Sequence, residues 1–339
     1  SAADLATVPK GLAGITKAHS AVNATPWAFI SLALAMMMGT ASLPHVMMRY
    51  FTTPSVKAAR KSVGWSLFFI FLLYSSAPML ATLSKLSLID PTLPTGIIGK
   101  TFAEVQSIDW YQNWNQANLM FISDFNGNGT LELNEFFMGG KAVVLATPEI
   151  AGLPYVISGL VAAGGMAAAM STADGLILAI ANAISHDVYY KMIDPKAETA
   201  KRLLVARVLL VVIGFAGATI AAMEIQGILG SVIWAFDFAM SGLFFPLVLG
   251  VWWKRANREG AIAGMVLGLG SAIWYLVWVR TGGSGFLGIT QLTFGIFGAA
   301  VSLVSMVVVS LMTSAPNAAT QKMVDEVRIP SGRSIVGKQ

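Results

Sequence analysis

The sequence predicts an all-α membrane protein. Hydrophobic residues make up 55% of its 339 residues and charged residues only 12%, and its mean hydropathy of +0.69 is high for a soluble domain. Its apolar segments are long enough to cross about 30 Å of hydrocarbon, which takes roughly 20 helical residues. Polar side chains lie inside some of these segments, a pattern that indicates an ion or substrate path.

Seven uninterrupted apolar runs are the candidate membrane spans, and none is flanked like a cleavable signal peptide. The predicted organisation is an N-terminal segment 1–26, two spans within 27–85 of which the first is broken, a connection 86–148, five spans within 149–313 and a basic tail 314–339. The runs occupy about residues 27–48, 63–84, 149–184, 203–223, 228–252, 259–279 and 289–313.

The distribution of Lys and Arg predicts the orientation of these spans. Fifteen of the 22 basic residues fall in one set of alternate connections and six in the other, while Arg207 lies within a span. Because basic loops remain in the cytoplasm, we expect the C-terminal tail to be cytoplasmic and segments 1–26 and 86–148 to lie outside. The same bias accounts for the net charge of +5, so no nucleic-acid partner is predicted.

Two spans contain residues that interrupt a helix. The first has Gly39, Thr40 and Ser42 just before a proline, and the fifth has a Ser-Gly pair and a proline shortly after Asp237. Broken backbone at membrane depth is tolerated where it lines a cavity, and in secondary transporters it indicates the substrate site. We therefore take Gly39, Thr40, Ser42 and Asp237 as candidates for the transport path. Packing kinks are the alternative explanation.

The third span carries Ser171, Thr172 and Asp174 in an otherwise apolar helix. Adjacent hydroxyls with helix carbonyls one turn earlier supply the oxygen ligands that a hard cation prefers. Helix packing is the alternative, because small residues precede the pair and Ser and Thr bond across helix contacts. Asp174 lies about 200° around the helix from Thr172, so we expect it to meet a neighbouring hydroxyl or Arg207 instead.

Three motifs between about residues 27 and 270 resemble the sodium:solute symporter family, and especially its cation/acetate symporters. One is similar to the family's eighth core helix, a second to its sixth core helix and the loop that follows, and a third to the end of its tenth. The motif similar to the eighth core helix is Met170–Thr172 with Ser185–Tyr189. The motif similar to the sixth is Gly39–His45 with Arg49–Phe51 and Ala58–Ser62, and the motif similar to the end of the tenth is Phe245-Pro246 with Trp253-Lys254 and Arg258–Ala261.

The resemblance implies a five-plus-five inverted-repeat fold, of which this chain forms the C-terminal portion, core helices six to ten plus two peripheral helices. It also implies a coupling Na⁺ held between the first and eighth core helices, bound here by the Ser171 and Thr172 hydroxyls and the Ala168 carbonyl. The first core helix has no counterpart in this sequence. The transporter's N-terminal helices are therefore an expected partner, and this chain alone is not expected to complete the ion site.

The connection 86–148 contains a second motif that predicts a cation site. Residues 124–135 fit the twelve-residue EF-hand loop, with oxygen-bearing side chains at positions 1, 3 and 5, Gly129 at position 6 and a glutamate at position 12. A solvated Asn/Gly-rich turn is the alternative. A Ca²⁺ bound here would act as a structural clip. The predicted ligands are Asp124, Asn126, Asn128, Thr130, Glu132 and Glu135.

Together these features predict sodium-coupled symport of a small organic anion, a short-chain monocarboxylate such as acetate, by alternating access in a bacterial inner membrane. Besides lipid, the resemblance implies a small two-span partner subunit. A symporter-like sensory module and a calcium-dependent membrane scaffold remain as alternatives. No nucleophile–base pair or metal-ligand cluster at membrane depth predicts an enzyme.

Overall fold

The computed structural model describes residues 26–140, 142–223, 225 and 227–328. Nearly all of the predicted N-terminal segment 1–26 and the end of the basic tail lie outside the described residues. The chain divides into two compact units, which among the described residues comprise 60–172 and 26–59 with 173–328. Each unit is described by itself.

Six helices in the described part of the chain are long and apolar enough to cross a membrane, and a shorter apolar helix precedes them. This agrees with the prediction of an all-α membrane protein. The short helix is α1, Pro26–Ser42, and the long ones contain α3 (Val56–Ile89), α7 (Tyr155–Asn182), α8 (Thr199–Ala222), α9 (Ile228–Ala239), α11 (Arg258–Arg280) and α12 (Gly295–Met312).

Two of the long helices include π-helical segments. The helix α7 continues as the π-helix Ala183–Ile193, and a short π-helix, Met240–Phe244, joins α9 to α10, Phe245–Trp252. A π segment inserts an extra residue into a turn and is frequent at functional sites. The predicted interruption of the fifth span is therefore a widened helical turn around Ser241 and Gly242.

The first predicted span is interrupted within the predicted group, at its proline end. The helix α1 runs through Gly39 and Thr40 to Ser42, and Leu43 adopts an extended conformation before the short helix α2, Pro44–Met48. The cause is Pro44, which has no N–H and disfavours helical geometry at the residue before it. A 3₁₀ turn, Arg49–Thr52, then leads towards α3.

A small folded module occupies the connection between α3 and α7. It contains the helices α4 (Phe102–Gln106), α5 (Asp109–Gln116) and α6 (Val143–Ile150), and the antiparallel strands β1 (Met120–Ile122) and β2 (Phe136–Met138). Its core includes the buried side chains of Leu88, Ile97, Val105, Tyr111, Met120 and Leu131. The short sheet is a local exception to the all-α architecture.

Glycines let α11 and α12 pack closely. Gly260, Gly264 and Gly268 are spaced four residues apart on α11, and each lies against α12. Small residues are the usual solution for close helix contacts in membranes. The helix α1 also has them, with Ser31 and Ala35 buried, and it packs on α9.

A 3₁₀ turn, Phe286–Gly288, and the terminal helix α13, Ala318–Val327, complete the described chain.

Candidate cation sites and transport path

The three predicted sodium ligands share one face of α7. Ala168, Ser171 and Thr172 are spaced i, i+3 and i+4, which places neighbouring groups on the same helix surface. The Thr172 hydroxyl donates a hydrogen bond to the Ala168 carbonyl oxygen, 3.3 Å away. Oxygens about 2.3–2.6 Å from a hard cation and at right angles around it are about 3.3–3.7 Å apart. The Thr172 and Ala168 oxygens therefore fit two neighbouring ligands of one ion.

This face of α7 is open in the described chain. Ala168, Ser171 and Thr172 are all exposed. A hard cation takes about six or more oxygen ligands, so an ion bound here needs further oxygens besides these three.

Asp174 does not belong to the same face. It is exposed on α7, and in the described part of the chain it forms no ion pair with Arg207, which corrects the expected pairing. A rotation of about 200° from Thr172 directs it away from the hydroxyl pair.

The hydroxyls of the predicted transport path bond back to their own helix. The Thr40 hydroxyl donates to the Met36 carbonyl at 2.6 Å, and the Ser42 hydroxyl donates to the Met38 carbonyl at 2.8 Å. Thr40 is exposed, whereas Ser42 is fully buried. In the described chain the Thr40 side chain is therefore open to solvent, whereas the Ser42 side chain is enclosed by the helices.

Gly39 lets α1 and α9 approach each other closely. A methyl group at Gly39 would lie 2.6 Å from Phe236 Cβ and 2.8 Å from Phe236 Cα. Only glycine fits between backbones this close, so Gly39 has a packing role whether or not it also lines the path.

Asp237 follows Phe236 on α9 and is fully buried. Neither of its carboxylate oxygens has a hydrogen-bond partner in the described chain. Gly295, the first residue of α12, packs against it, because a methyl group there would lie 2.5 Å from Asp237 Oδ1. The Ser241 hydroxyl bonds instead to the Asp237 backbone carbonyl at 2.6 Å. The carboxyl group is thus enclosed where three helical segments meet.

The end of the broken span contacts α7. A methyl group at Gly175 would lie 3.6 Å from both His45 Cβ and Arg49 Nη2. The turn after the break in α1 therefore packs on the part of α7 that follows the hydroxyl pair in sequence.

The predicted calcium loop is held by hydrogen bonds from its own backbone amides to its side chains. Asp124 Oδ1 accepts a hydrogen bond from the Gly127 amide at 2.7 Å, and its Oδ2 accepts one from the Gly129 amide at 3.1 Å. Asn126 and Asn128 each accept a bond from the amide two residues later. These bonds turn the ligand side chains towards the inside of the loop. Both glycines have a φ of +72°, which favours glycine.

Glu135 closes the loop from its last position. Its side chain is fully buried, and its two oxygens accept bonds from the Phe125 amide at 3.0 Å and the Glu132 amide at 2.9 Å. Each carboxylate oxygen keeps a second lone pair. The position therefore fits a bidentate ligand that is already held in place.

The loop departs from the helix–loop–helix pattern at its flanks, because β1 and β2 enclose it. It is tied to the α4 region by an antiparallel bridge between Thr101 and Thr130 and by the Leu131 amide, which bonds to the Lys100 carbonyl at 2.8 Å. The residues that the structure describes contain no group of three or more His, Asp or Glu side chains suited to a metal. Calcium binding here would depend on amide, hydroxyl and carbonyl oxygens as well as carboxylates.

A cavity of about 860 Å³ beside the same module was not predicted from the sequence. Trp110, Trp114, Tyr155 and the acidic Asp109 and Glu149 are among its lining residues, and the Trp114 indole donates to Glu149 at 3.0 Å. Two carboxylates in the lining disfavour an anionic occupant. The closely spaced tryptophans are the feature of the sequence that could have indicated this cavity.

The buried Ser31 on α1, whose hydroxyl is unpartnered in the described chain, was also not predicted from the sequence, because a lone serine in an apolar run is common.

Residues 141–268, which include the α7 hydroxyl pair and Asp237, match the family model of the sodium:solute symporter family. This part of the chain belongs to the sodium:solute symporter family. With six candidate spanning helices, this member of the family is an integral multi-pass membrane protein.

Two curated relatives agree with this family assignment. An uncharacterized symporter of Cupriavidus necator is 42% identical over 295 residues, which cover 84% of this chain and 42% of that protein. A monocarboxylic acid transporter of Corynebacterium glutamicum is 28% identical over 257 residues, which cover 75% of this chain and 39% of that protein. This symporter-family chain thus spans about two fifths of the length of these relatives.

Proposed function

We propose that this chain belongs to a sodium-coupled symporter for a small organic anion, with short-chain monocarboxylates such as acetate as the substrate class. The observation that carries the proposal is the pair of oxygens on α7. The Thr172 hydroxyl and the Ala168 carbonyl are separated as neighbouring cation ligands are, and Ser171 shares their face. They lie within the segment that matches the symporter family, which implies sodium as the coupling ion.

The substrate class is supported by two independent likenesses. The motifs around Gly39–His45 resemble those of cation/acetate symporters, and the relative from Corynebacterium glutamicum is named a monocarboxylic acid transporter. In this proposal the substrate binds beside the interrupted first span, near Gly39, Thr40 and Ser42. The sodium:solute symporter family predicts a transport role for the chain and not an enzymatic one.

Transport would proceed by alternating access. Sodium bound to the α7 face stabilises the outward-open state, substrate binds near the end of α1, and movement of the helices releases both on the other side. Coupling requires sodium and substrate to favour the same state, and the effect is reciprocal. The remaining sodium ligands would come from other helices of the transporter.

The calcium loop would stabilise the external module. Outside the cell it would meet Ca²⁺ near the millimolar range, which suits the weak extracellular class of site, with dissociation constants of roughly 10⁻⁴–10⁻³ M. The geometry around Asp124 and Glu135 supports this role.

The proposed setting is a bacterial inner membrane, with residues 86–148 outside and the C-terminus in the cytoplasm. The distribution of Lys and Arg supports this orientation. A small two-span subunit is the proposed protein partner, since the resemblance to the branch with an EF-hand-like loop implies one.

The proposal is tested by replacing the hydroxyl pair in the full-length protein. We expect Ser171→Ala with Thr172→Ala to weaken sodium activation of uptake about tenfold or more, because bonds to a charged group contribute about 1.5–3 kcal/mol. Uptake is measured in proteoliposomes at a series of sodium concentrations, with expression checked.

Thr219→Ala is the matched control for this experiment. The Thr219 hydroxyl makes the same kind of bond, to the Phe215 carbonyl at 2.9 Å on α8, so its loss leaves sodium activation unchanged. If the double variant keeps the sodium dependence of the unmodified protein, the assignment of the α7 face is wrong.

A further inference from the structure

Asp237 is the most completely enclosed acidic side chain within the spanning helices that the structure describes. It is fully buried, and no well-aligned hydrogen bond reaches either carboxylate oxygen, although the Gly295 amide lies close to the group. The helices of this chain already exclude water from it, so further segments of the transporter are not needed to bury it. Gly295 and Met240, which pack around it, offer little polar compensation.

No charged partner compensates Asp237 in the described chain. The helix α9 packs on α1, the Met240–Phe244 π segment, α11 and α12. The helix α1, the π segment and α12 contain no titratable residue. The titratable residues of α11 are Arg258, Glu259, Tyr275 and Arg280.

The residues of α11 are engaged elsewhere or form no ion pair with Asp237. The Tyr275 hydroxyl donates to the Ile289 carbonyl at 3.1 Å and accepts from the Phe286 amide at 2.8 Å. The Arg280 guanidinium lies over the Trp234 ring, 5.2 Å from its centre. Arg258 and Glu259 lie at the far end of α11, in its first turn.

Two opposing effects therefore act on this carboxyl group. An ionised carboxylate that is buried without partners is costly, and such groups are neutralised by taking up a proton. Gly295 places the N-terminus of α12 beside it, where the partial positive charge of a helix, roughly half a unit, favours the anion. A group held between these effects can change its protonation when its surroundings change.

The contact between α1 and α9 offers a way to change those surroundings. Gly39 touches the backbone of Phe236, the residue before Asp237, and α1 ends three residues later at the break before Pro44. Movement of α1 away from α9 would admit water to the region that the two helices enclose.

We propose that Asp237 binds and releases one proton in each transport cycle, so that the symporter responds to pH as well as to sodium. In the closed arrangement the carboxyl group carries the proton. When water enters from one side of the membrane, the proton passes to that water and leaves the carboxylate, and a proton taken up from water on the other side restores the neutral acid. This inference rests on the proposed symport function and identifies a second coupled ion for it.

A permanent structural role explains the observations less well. A carboxylate that held freed backbone would accept well-aligned hydrogen bonds from it, whereas only the Gly295 amide comes close to Asp237 and neither carboxylate oxygen has a well-aligned partner. A metal cation needs several oxygen ligands, whereas Gly295 contributes no side chain and Met240 only a thioether.

The first test is spectroscopic and does not require transport. Infrared spectra of the purified full-length protein are recorded for the unmodified protein and for the variants Asp237→Asn and Asp237→Glu, and the spectrum of each variant is subtracted from that of the unmodified protein. We expect the carbonyl band of a neutral carboxylic acid in the unmodified protein, its loss in Asp237→Asn and a shifted band in Asp237→Glu. A spectrum that Asp237→Asn leaves unchanged would overturn the proposal.

The second test is the pH dependence of uptake at saturating sodium. One coupled proton allows a change of up to about tenfold per pH unit, which we expect to vanish in Asp237→Asn and to return in Asp237→Glu. Ser302→Ala is the control, because the Ser302 hydroxyl on α12 is also buried without a partner but does not titrate. Equal pH profiles for the unmodified protein and Asp237→Asn would refute the proposal.

The two tests separate the two claims. If uptake does not require sodium, the symport function fails while the infrared result still decides the protonation of Asp237. If uptake requires sodium but Asp237→Asn alters only the sodium affinity, the proton assignment fails and the symport function stands.

Discussion

Exposure decides what the carboxylates of this protein can do near neutral pH. Asp325 on α13 is exposed and pairs with Lys254 at 2.8 Å and with Arg328 at 2.6 Å. The hydrogen bond from Lys254 is the main cause that lowers the pKa of Asp325. The stabilisation that the ionised Asp325 gives the fold is present above the ordinary carboxyl pKa of about 3.9. It is lost as the pH falls through the lowered pKa of Asp325. A response near pH 7 must therefore come from another group, such as Asp237.

Glu135→Gln tests the calcium loop at a single side chain. The substitution keeps the size but removes the charge and one acceptor oxygen, so we expect calcium to lose its stabilising effect. Calcium at ten times its dissociation constant stabilises a protein by about 1.4 kcal/mol. The measurement is the unfolding temperature of the full-length protein in detergent, with calcium and with a chelator.

Asp109→Asn provides the control for the calcium experiment. It removes one negative charge from an exposed position in the same module but outside the loop, and the calcium-induced shift is expected to remain. A shift of equal size in Glu135→Gln would show that the loop is not the site.

The ligand positions differ in how far the sequence could predict them. Local spacing determines where Asp124 and Glu135 stand in their loop, and the structure has the hydrogen bonds that such a loop requires. The environment of Asp237 could not be predicted, because Gly295 comes from a helix more than 50 residues away. Contacts between distant segments leave no periodic pattern in the chain.

The helices are positioned largely by where glycine and proline occur. Pro44, the last residue of the predicted group, ends α1 at Ser42, and the predicted break after Asp237 is a π segment instead of a gap. The flanks of the calcium loop are strands, because the aromatic residues of β1 and β2 pair across the sheet, with Phe121 stacked on Phe137 at 4.6 Å. Apolar run length thus predicts where the helices occur better than how they end.

Gly295→Ala tests the packing of α12 against α9. The added methyl group would lie 2.5–2.6 Å from atoms of Asp237, and overpacking of this kind costs about 1–3 kcal/mol. We expect a lower unfolding temperature for the full-length protein in detergent.

Gly270→Ala on α11 is the matched substitution, since nothing lies within 4 Å of the added methyl group. Alanine is the better helix former by about 1 kcal/mol, so this variant should be as stable as the unmodified protein or more so. Equal stability of the two variants would mean that α12 does not approach Asp237 as described.

The whole chain combines a small folded module with a set of spanning helices. Hydropathy predicted seven spans, and six helices in the described residues are long and apolar enough to cross a membrane, because crossing hydrocarbon imposes both length and apolar composition. Their sidedness rests on the distribution of Lys and Arg alone and is therefore a direct subject for experiment.

The absence of cysteine from this chain makes its orientation measurable by labelling. We expect Gln116→Cys, in the external module, to react with an impermeant maleimide on intact cells. Lys196→Cys, between α7 and α8, should react only after the membrane is opened. Both positions are exposed, and any cysteines elsewhere in the full-length protein are replaced first. The reverse labelling pattern would contradict the predicted orientation.

Sodium-driven uptake by the full-length protein in proteoliposomes tests the central claim most directly. Labelled acetate, lactate and proline are compared with and without an inward sodium gradient. We expect accumulation of acetate or lactate that requires the sodium gradient and depends on the hydroxyls of Ser171 and Thr172. Uptake that is indifferent to sodium, or confined to proline, would contradict it.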